Sequence, residues 1–346
     1  MSSIEPFFSI IMPVYNSDNT VINSINSVLK QEFTSWELII VDDFSSDLTR
    51  ELLQKLSHPN IKIIYNSRNV GVSESRNVAI NIAKGKYVLF LDSDDVYQDG
   101  LLSYICSQIN TYIGVDLIKF SFSEVYYSSK SVKHYPIILE DMFYKGKRNI
   151  AKCVVELEEK PAFGYVWNSV YRRDLIINNN IKFDKDISIN EDFCFNINYI
   201  YLSKSVVCLS FNGYDYIKTN SHLSLNNEGF QELSLLKINY MLALLHKYGG
   251  ESSLFAKVFW MYVRFIYSSL MRNGYSYLVF KREFKNICNS KLFDKFRLTV
   301  FRNISFKQKI MIFLLRNKMR VTVFLFVKAL FLIKFHFPFL FSLFKR

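Results

Sequence analysis

The first hundred residues alternate short apolar runs with stretches in which apolar residues recur at helical spacing. Three short apolar runs, at residues 7–12, 38–41 and 87–91, indicate strands that are buried on both faces. Residues 61–65 predict a fourth strand. Helical spacing follows three of them, at residues 20–31, 48–56 and 73–84. This alternation predicts a parallel α/β sheet, and such sheets bind ligands beyond the carboxyl ends of their strands.

Polar and aromatic side chains follow three of these runs at the predicted ligand-binding edge. Tyr15 follows the first run, Asp43 the second, and Asp92, Asp94 and Asp95 the last. Three carboxylates within four positions repel one another, and a divalent cation would compensate that repulsion. Mg²⁺ or Mn²⁺ would bridge one or two carboxylates to the phosphates of a substrate. The alternative is an acidic turn that only caps the next helix.

Charge separates the last third of the chain from the rest. The 346 residues have a net charge of +12, yet residues 230–346 hold 21 of the 43 Lys and Arg and 4 of the 31 Asp and Glu. Such an excess indicates an anionic partner, either a membrane surface or nucleic acid. The five cysteines include no CxxC pair, and the N-terminus has no signal-peptide pattern. Both observations favour a cytoplasmic protein with reduced thiols.

The motifs PVYN, VDDFSSD, NVGVSESRN and FLDSDD, in this order, resemble the nucleotide-binding half of the inverting glycosyltransferases of family 2. The resemblance extends over residues 7–225. It implies the GT-A fold, a Rossmann-like mixed α/β sheet flanked by helices. We expect a GT-A domain at 1–229, with a nucleotide-sugar half at 1–100 and an acceptor half at 101–229. An α-helical C-terminal extension would follow at 230–346.

The resemblance implies a role for five residues near the nucleotide. Pro13, Val14 and Tyr15 would flank the nucleobase, and Asp43 would accept a hydrogen bond from a uracil imide. Arg76 would lie beside the nucleotide and its diphosphate. Judged without the family, an aromatic residue such as Tyr15 is more often an ordinary core residue, and Arg76 is a charge on a helix surface.

The resemblance also implies the metal ligands. Asp92 would contact the ribose or the metal, and Asp94 would bind the metal, Mn²⁺ or Mg²⁺, between the phosphates. Asp95 would support them from behind or cap a helix. His222 would be a third ligand, although a lone loop histidine is more often a surface residue.

A second group of motifs implies the acid–base chemistry. Residues 166–173 resemble the family stretch W-N-K-L-Y-[KR]-R, with Ser169 in place of the lysine. Glu191 and Asp192 follow Asn190, which replaces the family glycine and tolerates left-handed backbone. The resemblance implies that Asp192 is the general base for the acceptor hydroxyl, with Glu191 positioning the acceptor. The alternative role of this acidic pair is to cap a helix.

The basic region predicts two helices, at 230–248 and 254–271, separated by Gly249-Gly250. In a single helix farther on, five basic side chains would lie within an arc of about 120°: Lys309, Arg316, Arg320, Lys328 and Lys334. No run reaches the ~18 uncharged apolar residues of a membrane span. We therefore expect peripheral binding to the inner face of the cell membrane. The alternative is a partner helix in a homo-oligomer.

Together with these observations, the resemblance implies a metal-dependent enzyme. It would move a hexosyl or N-acetylhexosaminyl group from a nucleoside-diphosphate sugar, with UDP as the nucleotide, to a cell-surface glycan or lipid-linked oligosaccharide. A sugar nucleotidyltransferase is a second class, although PVYN lacks the glycines of a phosphate loop. A non-enzymatic membrane or nucleic-acid binding protein is a third. Nucleic acid is not expected as a partner, because the aromatic residues of the tail accompany aliphatic rather than polar groups.

Overall fold

A computed structural model of the chain describes residues 5–128, 131–187, 190–218, 230–272, 277–302 and 304–336. The chain divides into two compact units, Met1–Asn226 and Asn227–Arg346. The described strands of the first unit are β1 (Phe8–Val14), β2 (Trp36–Asp42), β3 (Ile61–Tyr65), β4 (Tyr87–Phe90), β5 (Val96–Tyr97), β6 (Leu117–Ser128), β7 (Ser131–Ile137), β8 (Met142–Lys145), β9 (Ser169–Arg172) and β10 (Ser205–Lys218). Its described helices are α1 (Val21–Leu29), α2 (Thr49–Gln54), α3 (Val72–Ile82), α4 (Leu101–Thr111), α5 (Lys147–Glu159), α6 (Arg173–Asn178) and α7 (Glu191–Leu202).

These strands form one mixed sheet in the order β3-β2-β1-β4-β9-β6-β10-β5, with β7 added to β6 and β8 to β10. The first four strands are parallel, as their alternation with helices predicts. Strand β9 joins the two halves of the sheet, because it pairs antiparallel with both β4 and β6. Mixed α/β architecture is therefore confirmed, and the parallel arrangement applies to its first half.

Strand β1 ends two residues later than the sequence predicts. Pro13 and Val14 pair with Val41 and Asp42 of β2, and both are buried. The nitrogen of Pro13 points toward β4, on the same side as the Ile11 carbonyl, which accepts a hydrogen bond from the Leu91 N–H. The pairing of β1 with β4 ends at Ile11, so no β4 carbonyl lies opposite Pro13. Proline therefore removes no ladder hydrogen bond at this position, and the strand continues through it.

Helix α3 buries polar residues where an ordinary amphipathic helix would bury apolar ones. Ser73, Ser75, Arg76 and Asn77 are all buried, alongside Ala79 and Ile80. Burying a charged or polar side chain is unfavourable unless it is hydrogen-bonded, so this face of α3 needs polar partners. For Arg76 and Asn77 those partners come from the end of β4, from the first turn of α7 and from Phe183 in the loop before α7, as described below.

The second unit is helical over its described residues. Its helices are α8 (Phe230–Tyr248), α9 (Ser252–Arg272), α10 (Tyr277–Cys288), α11 (Lys291–Leu298), α12 (Phe306–Arg316) and α13 (Arg320–His336). The break predicted at Gly249-Gly250 is confirmed, with Gly249 at φ +71° after α8. None of the helices in the described ranges combines the length and the hydropathy that a bilayer span requires.

The prediction that Lys309, Arg316, Arg320, Lys328 and Lys334 share one helix is wrong. The chain turns between α12 and α13, where Lys318 adopts a left-handed φ of 51°. Backbone amides at 318 and 319 close the end of α12 on the carbonyls of Leu315 and Leu314. The sequence has no glycine or proline at this turn, and its apolar periodicity continues across it. The sequence therefore predicted one continuous helix.

Candidate active site

Arg76 on α3 joins two distant parts of the first unit. Its Nη2 donates to Asp92 Oδ1 at 2.9 Å, at the exit of β4. Its Nη1 donates to Asp192 Oδ1 at 2.7 Å and lies 3.6 Å from Glu191 Oε1, at the start of α7. The guanidinium carbon lies 5.2 Å from the ring centroid of Phe183. The predicted diphosphate-binding residue therefore contacts the predicted general base directly.

Burial and charge oppose each other in this cluster. Burial disfavours the charged form of Arg76, but Asp192, Asp92 and Glu191 outweigh it and raise the pKa of Arg76 above its ordinary value. Burial, with Asp192 adding to it, raises the pKa of Glu191 to about 7 although Arg76 acts against the shift. Burial also raises the pKa of Asp192, again opposed by Arg76. The acidic pair can therefore exchange a proton closer to neutral pH than ordinary carboxyls do.

A left-handed residue sets the direction of the acidic pair. Asn190 has φ 63° and ψ 21°, so the prediction that it could take over the conformation of a glycine is confirmed. Helix α7 begins at the next residue, and both acids lie in its first turn. The second oxygen of Asp192, Oδ2, accepts from the backbone N–H of Val166 at 3.3 Å. Asp192 is therefore held from two sides, by Arg76 and by the loop before β9.

The three aspartates after β4 have different surroundings. Asp95 is buried, and its carboxylate accepts from the Tyr214 hydroxyl at 2.8 Å and from the Ile217 N–H at 2.7 Å. It therefore fastens this turn to β10, in agreement with the supporting role expected for it. Burial, with Asp92 and Asp94 adding to it, raises the pKa of Asp95 well above its ordinary range. Asp92 and Asp94 themselves are only partly buried.

The oxygen donors at this turn fit a divalent cation whose remaining coordination positions are filled by a substrate. Asp92 and Asp94 supply oxygen ligands, and their charges add to burial in raising the pKa of Asp95, so a cation would relieve part of their repulsion. Within the described ranges, no group of three His, Cys, Asp or Glu side chains could hold a metal ion by itself. Mg²⁺ commonly takes one or two carboxylates and fills its other positions with phosphate and water. His222 lies within residues 219–229, outside the described part of the chain.

Asp43 has a carboxylate with one acceptor position left. Its Oδ1 accepts from Asn66 Nδ2 at 2.8 Å and from the Val70 N–H at 2.9 Å, and Oδ2 accepts from the Gly71 N–H at 2.8 Å. Each carboxylate oxygen can accept two hydrogen bonds, so Oδ2 retains capacity for one donor. These contacts hold Asp43 in a fixed orientation at the end of β2.

Two exposed aromatic rings follow the neighbouring strands β1 and β2. Tyr15 is 50% exposed, whereas Pro13 and Val14 are buried in β1. Phe44, which the sequence analysis did not single out, is 47% exposed at a left-handed φ of 66°. Such a conformation is unusual for a bulky residue and often marks a functional turn. The signal in the sequence was an aromatic residue inside the polar turn VDDFSSD.

Asn77 is a further positioning residue that sequence reasoning missed. Its side-chain amide donates to the Phe183 carbonyl at 2.9 Å and accepts from the Phe183 N–H at 2.9 Å. This reciprocal pair fixes the ring of Phe183 beside Arg76. An asparagine within a helical pattern carries no signal of such a long-range contact.

Residues 9–178 match the sequence profile of Glycosyl transferase family 2. UDP-Glc:alpha-D-GlcNAc-diphosphoundecaprenol beta-1,3-glucosyltransferase WfgD of Escherichia coli is 46% identical over 89 residues, which are 26% of this chain and 35% of WfgD. Poly(ribitol-phosphate) beta-N-acetylglucosaminyltransferase TarS of Staphylococcus aureus is 28% identical over 238 residues, which are 66% of this chain and 39% of TarS. The chain thus spans well under half the length of these two curated relatives.

The fold is similar to a solved structure over most of its length. The crystal structure of S. aureus TarS 1–349 in complex with UDP-GlcNAc superposes with a TM-score of 0.65 at 21% identity, covering 93% of this chain and 90% of that one. At this identity the likeness shows the fold, which is GT-A. The sequence profile and the curated relatives identify residues 9–178 as a family 2 glycosyltransferase domain, and the fold agrees with that identification.

Proposed function

We propose that the chain transfers a sugar from a UDP-sugar to a hydroxyl of a bacterial cell-surface glycan or lipid-linked oligosaccharide. The observation that carries the proposal is the contact of Arg76 with both Asp92 and Asp192. It brings the strand exit suited to a diphosphate next to a carboxylate suited to activating an acceptor. The UDP-GlcNAc bound to TarS and the diphosphoundecaprenol-linked acceptor in the name of WfgD support the donor and acceptor classes.

In the proposed reaction Asp192 takes the proton of the acceptor hydroxyl. The hydroxyl oxygen then forms a bond to the anomeric carbon, and the bond from that carbon to the diphosphate breaks. Attack from the face opposite the leaving group inverts the anomeric configuration. A carboxyl with a raised pKa suits this step, because it is a stronger base than an ordinary aspartate. Glu191, 3.6 Å from Arg76, would position the acceptor.

Other residues of the chain would bind the donor. Asp43 Oδ2 would accept the hydrogen bond of a uracil imide, and Tyr15 would cover the base with its exposed ring. Asp92 and Asp94 would hold Mg²⁺ or Mn²⁺, which when bound neutralises charge on the departing diphosphate. Arg76 would keep its proton beside these anions, because the carboxylates around it raise its pKa.

The base assignment is tested with Asp192→Asn, which keeps the size of the side chain and removes its basicity. We expect transfer to fall by about 10²- to 10⁴-fold while donor affinity is retained. The matched control is Asp99→Asn, an exposed aspartate in the same unit, which should leave transfer unchanged. Asp192→Asn protein that still transfers sugar at the wild-type rate would overturn the assignment, and so would a complete loss of donor binding.

We further propose that the second unit binds the inner face of the cell membrane. Three large apolar residues are exposed along one side of each of the last two described helices: Phe306, Ile310 and Phe313 on α12, and Val321, Leu325 and Leu332 on α13. Lys309 and Lys328 are exposed beside them. Apolar side chains with adjacent lysines are typical of helices that lie at the surface of an anionic bilayer.

Co-sedimentation with vesicles tests this membrane proposal. The double variant Phe306→Ser/Phe313→Ser should bind phosphatidylglycerol vesicles at least tenfold more weakly than the wild type, since two large apolar contacts are lost. Ile113→Ser is the control, because Ile113 is 91% exposed in the first unit. Wild-type protein should prefer anionic to neutral vesicles and lose affinity in high salt. Equal binding by all variants, or an oligomer that the double variant dissociates, would refute the membrane assignment.

A further inference from the structure

Lys119 is a lysine of β6 with a fully buried side chain that the proposed reaction does not use. Its Nζ donates to the carbonyls of Phe163 at 3.0 Å and Tyr165 at 2.6 Å, and to Asn168 Oδ1 at 3.1 Å. The Ala162 carbonyl lies at 3.5 Å. All four acceptors are neutral oxygens of one loop, residues 162–168, immediately before β9. Burying an ammonium group costs several kcal/mol. The hydrogen bonds from Lys119 to this loop must offset that cost.

The same loop contacts the proposed base. Val166, between two of the residues that Lys119 contacts, donates its N–H to Asp192 Oδ2 at 3.3 Å. Asn196 of α7 also donates to the Tyr165 carbonyl, at 3.0 Å. Burial lowers the pKa of Lys119 to about 7, and the charge of Asp192 acts against that shift, so the two groups interact electrostatically. The position of the loop therefore bears directly on the orientation of Asp192.

The residue opposite Lys119 reaches the same acceptors. Lys119 pairs with Ser169 across the antiparallel strands β6 and β9. The Ser169 hydroxyl donates to the Tyr165 carbonyl at 3.3 Å and lies 3.5 Å from Asn168 Oδ1. Side chains directly opposite each other have Cβ atoms about 5 Å apart. A lysine at position 169 would therefore reach the oxygens that Lys119 contacts here.

We propose that Lys119 is a positioning residue for Asp192. Its ammonium group holds residues 162–168 in place, so that the Val166 N–H fixes one oxygen of Asp192 and the carboxylate faces the acceptor. Ser169 leaves room for that ammonium group. A lysine at either of the two opposite positions, 119 or 169, would supply it. The inference rests on the proposed role of Asp192 as the base.

The test compares Lys119→Ser with the exchanged pair Lys119→Ser/Ser169→Lys in the full chain. Lys119→Ser should lower kcat about 10- to 100-fold, because a small displacement of a catalytic group has effects of this size. Donor binding should be unchanged, since the loop contacts the proposed base. The exchanged pair should recover kcat to within a few-fold of wild type, because it returns an ammonium group to the same oxygens. Unchanged donor binding by Lys119→Ser separates positioning of Asp192 from general destabilisation, which would weaken donor binding as well.

The outcomes separate this inference from the proposed function. An exchanged pair that folds but is no more active than Lys119→Ser would overturn the positioning role, as would a Lys119→Ser variant with wild-type kcat. If Lys119→Ser does not fold, the exchanged pair is compared with wild type, and a kcat more than tenfold lower overturns the inference. A wrong base assignment would be recognised separately, because Asp192→Asn would then retain transfer activity.

Discussion

Replacing Arg76 by methionine should destabilise the first unit by about 3–5 kcal/mol at pH 7.5. The Arg76 side chain is 4% exposed and is the cation in contact with three carboxylates, those of Asp92, Glu191 and Asp192. Methionine keeps much of the length of the side chain but leaves these carboxylates without their positive charge, at exposures of 27%, 16% and 15%. Breaking a buried ion pair costs this much because the partner charges remain buried and uncompensated.

The destabilisation should shrink at low pH. Without Arg76 the carboxyls would bind protons at higher pH, and each unit of pKa shift corresponds to about 1.4 kcal/mol. Glu191, whose pKa is already raised to about 7, should protonate first. At pH 5 the difference between Arg76→Met and wild type should therefore be smaller by about 1–3 kcal/mol.

Urea unfolding followed by tryptophan fluorescence measures this difference. The chain has three tryptophans, and a Trp260→Phe background leaves Trp36 and Trp167 as reporters of the first unit. Lys152→Met is the control, since Lys152 pairs with Glu156 on the surface of α5 and should change stability by less than about 1 kcal/mol. The reasoning would be refuted if Arg76→Met lost less free energy of unfolding than this control, or if it lost the same amount at both pH values.

Three further variants test separate parts of the site. Asp94→Ala should abolish metal-dependent turnover without lowering the thermal unfolding temperature, because removing one acid relieves repulsion; full activity would exclude Asp94 as a ligand. Glu191 has a raised pKa, so its contribution to stability is present below its ordinary pKa and lost as pH rises to about 7. Glu191→Gln should therefore remove up to about 3 kcal/mol of the pH dependence of unfolding between pH 4.5 and 7; an unchanged slope would contradict the shift. Asn190→Val should cost about 1–2 kcal/mol in urea unfolding, whereas Asn190→Gly should be tolerated, because position 190 is left-handed; equal effects would contradict this explanation.

The sequence predicted those parts of the fold that depend on local periodicity. The four parallel strands of the first half follow from short apolar runs alternating with amphipathic segments. The acidic residues at the exit of β4 follow from the end of such a run. The left-handed Asn190 follows from the glycine that the family resemblance places there and from the backbone freedom of asparagine. In each case the information lies within a short stretch of the chain.

The contacts that assemble the site could not be predicted in this way. Arg76 and Asp192 are 116 residues apart, and they meet because β9 joins the two halves of the sheet. Lys119 lies in a strand whose apolar neighbours predict only burial, and its acceptors come from a separate loop. The turn between α12 and α13 lacks glycine and proline, so composition gave no stop signal. Such features depend on packing between segments far apart in the chain.

Calorimetric binding of a panel of nucleotide sugars to the full chain tests the central claim most directly. The panel contains UDP-GlcNAc, UDP-glucose and GDP-mannose, each with and without Mn²⁺. We predict that at least one UDP-sugar binds, that Mn²⁺ strengthens its binding at least tenfold, and that the GDP-sugar binds more weakly because the proposed partner of Asp43 is a uracil imide. A chain that binds none of these donors, with or without Mn²⁺, would contradict the proposed sugar transfer.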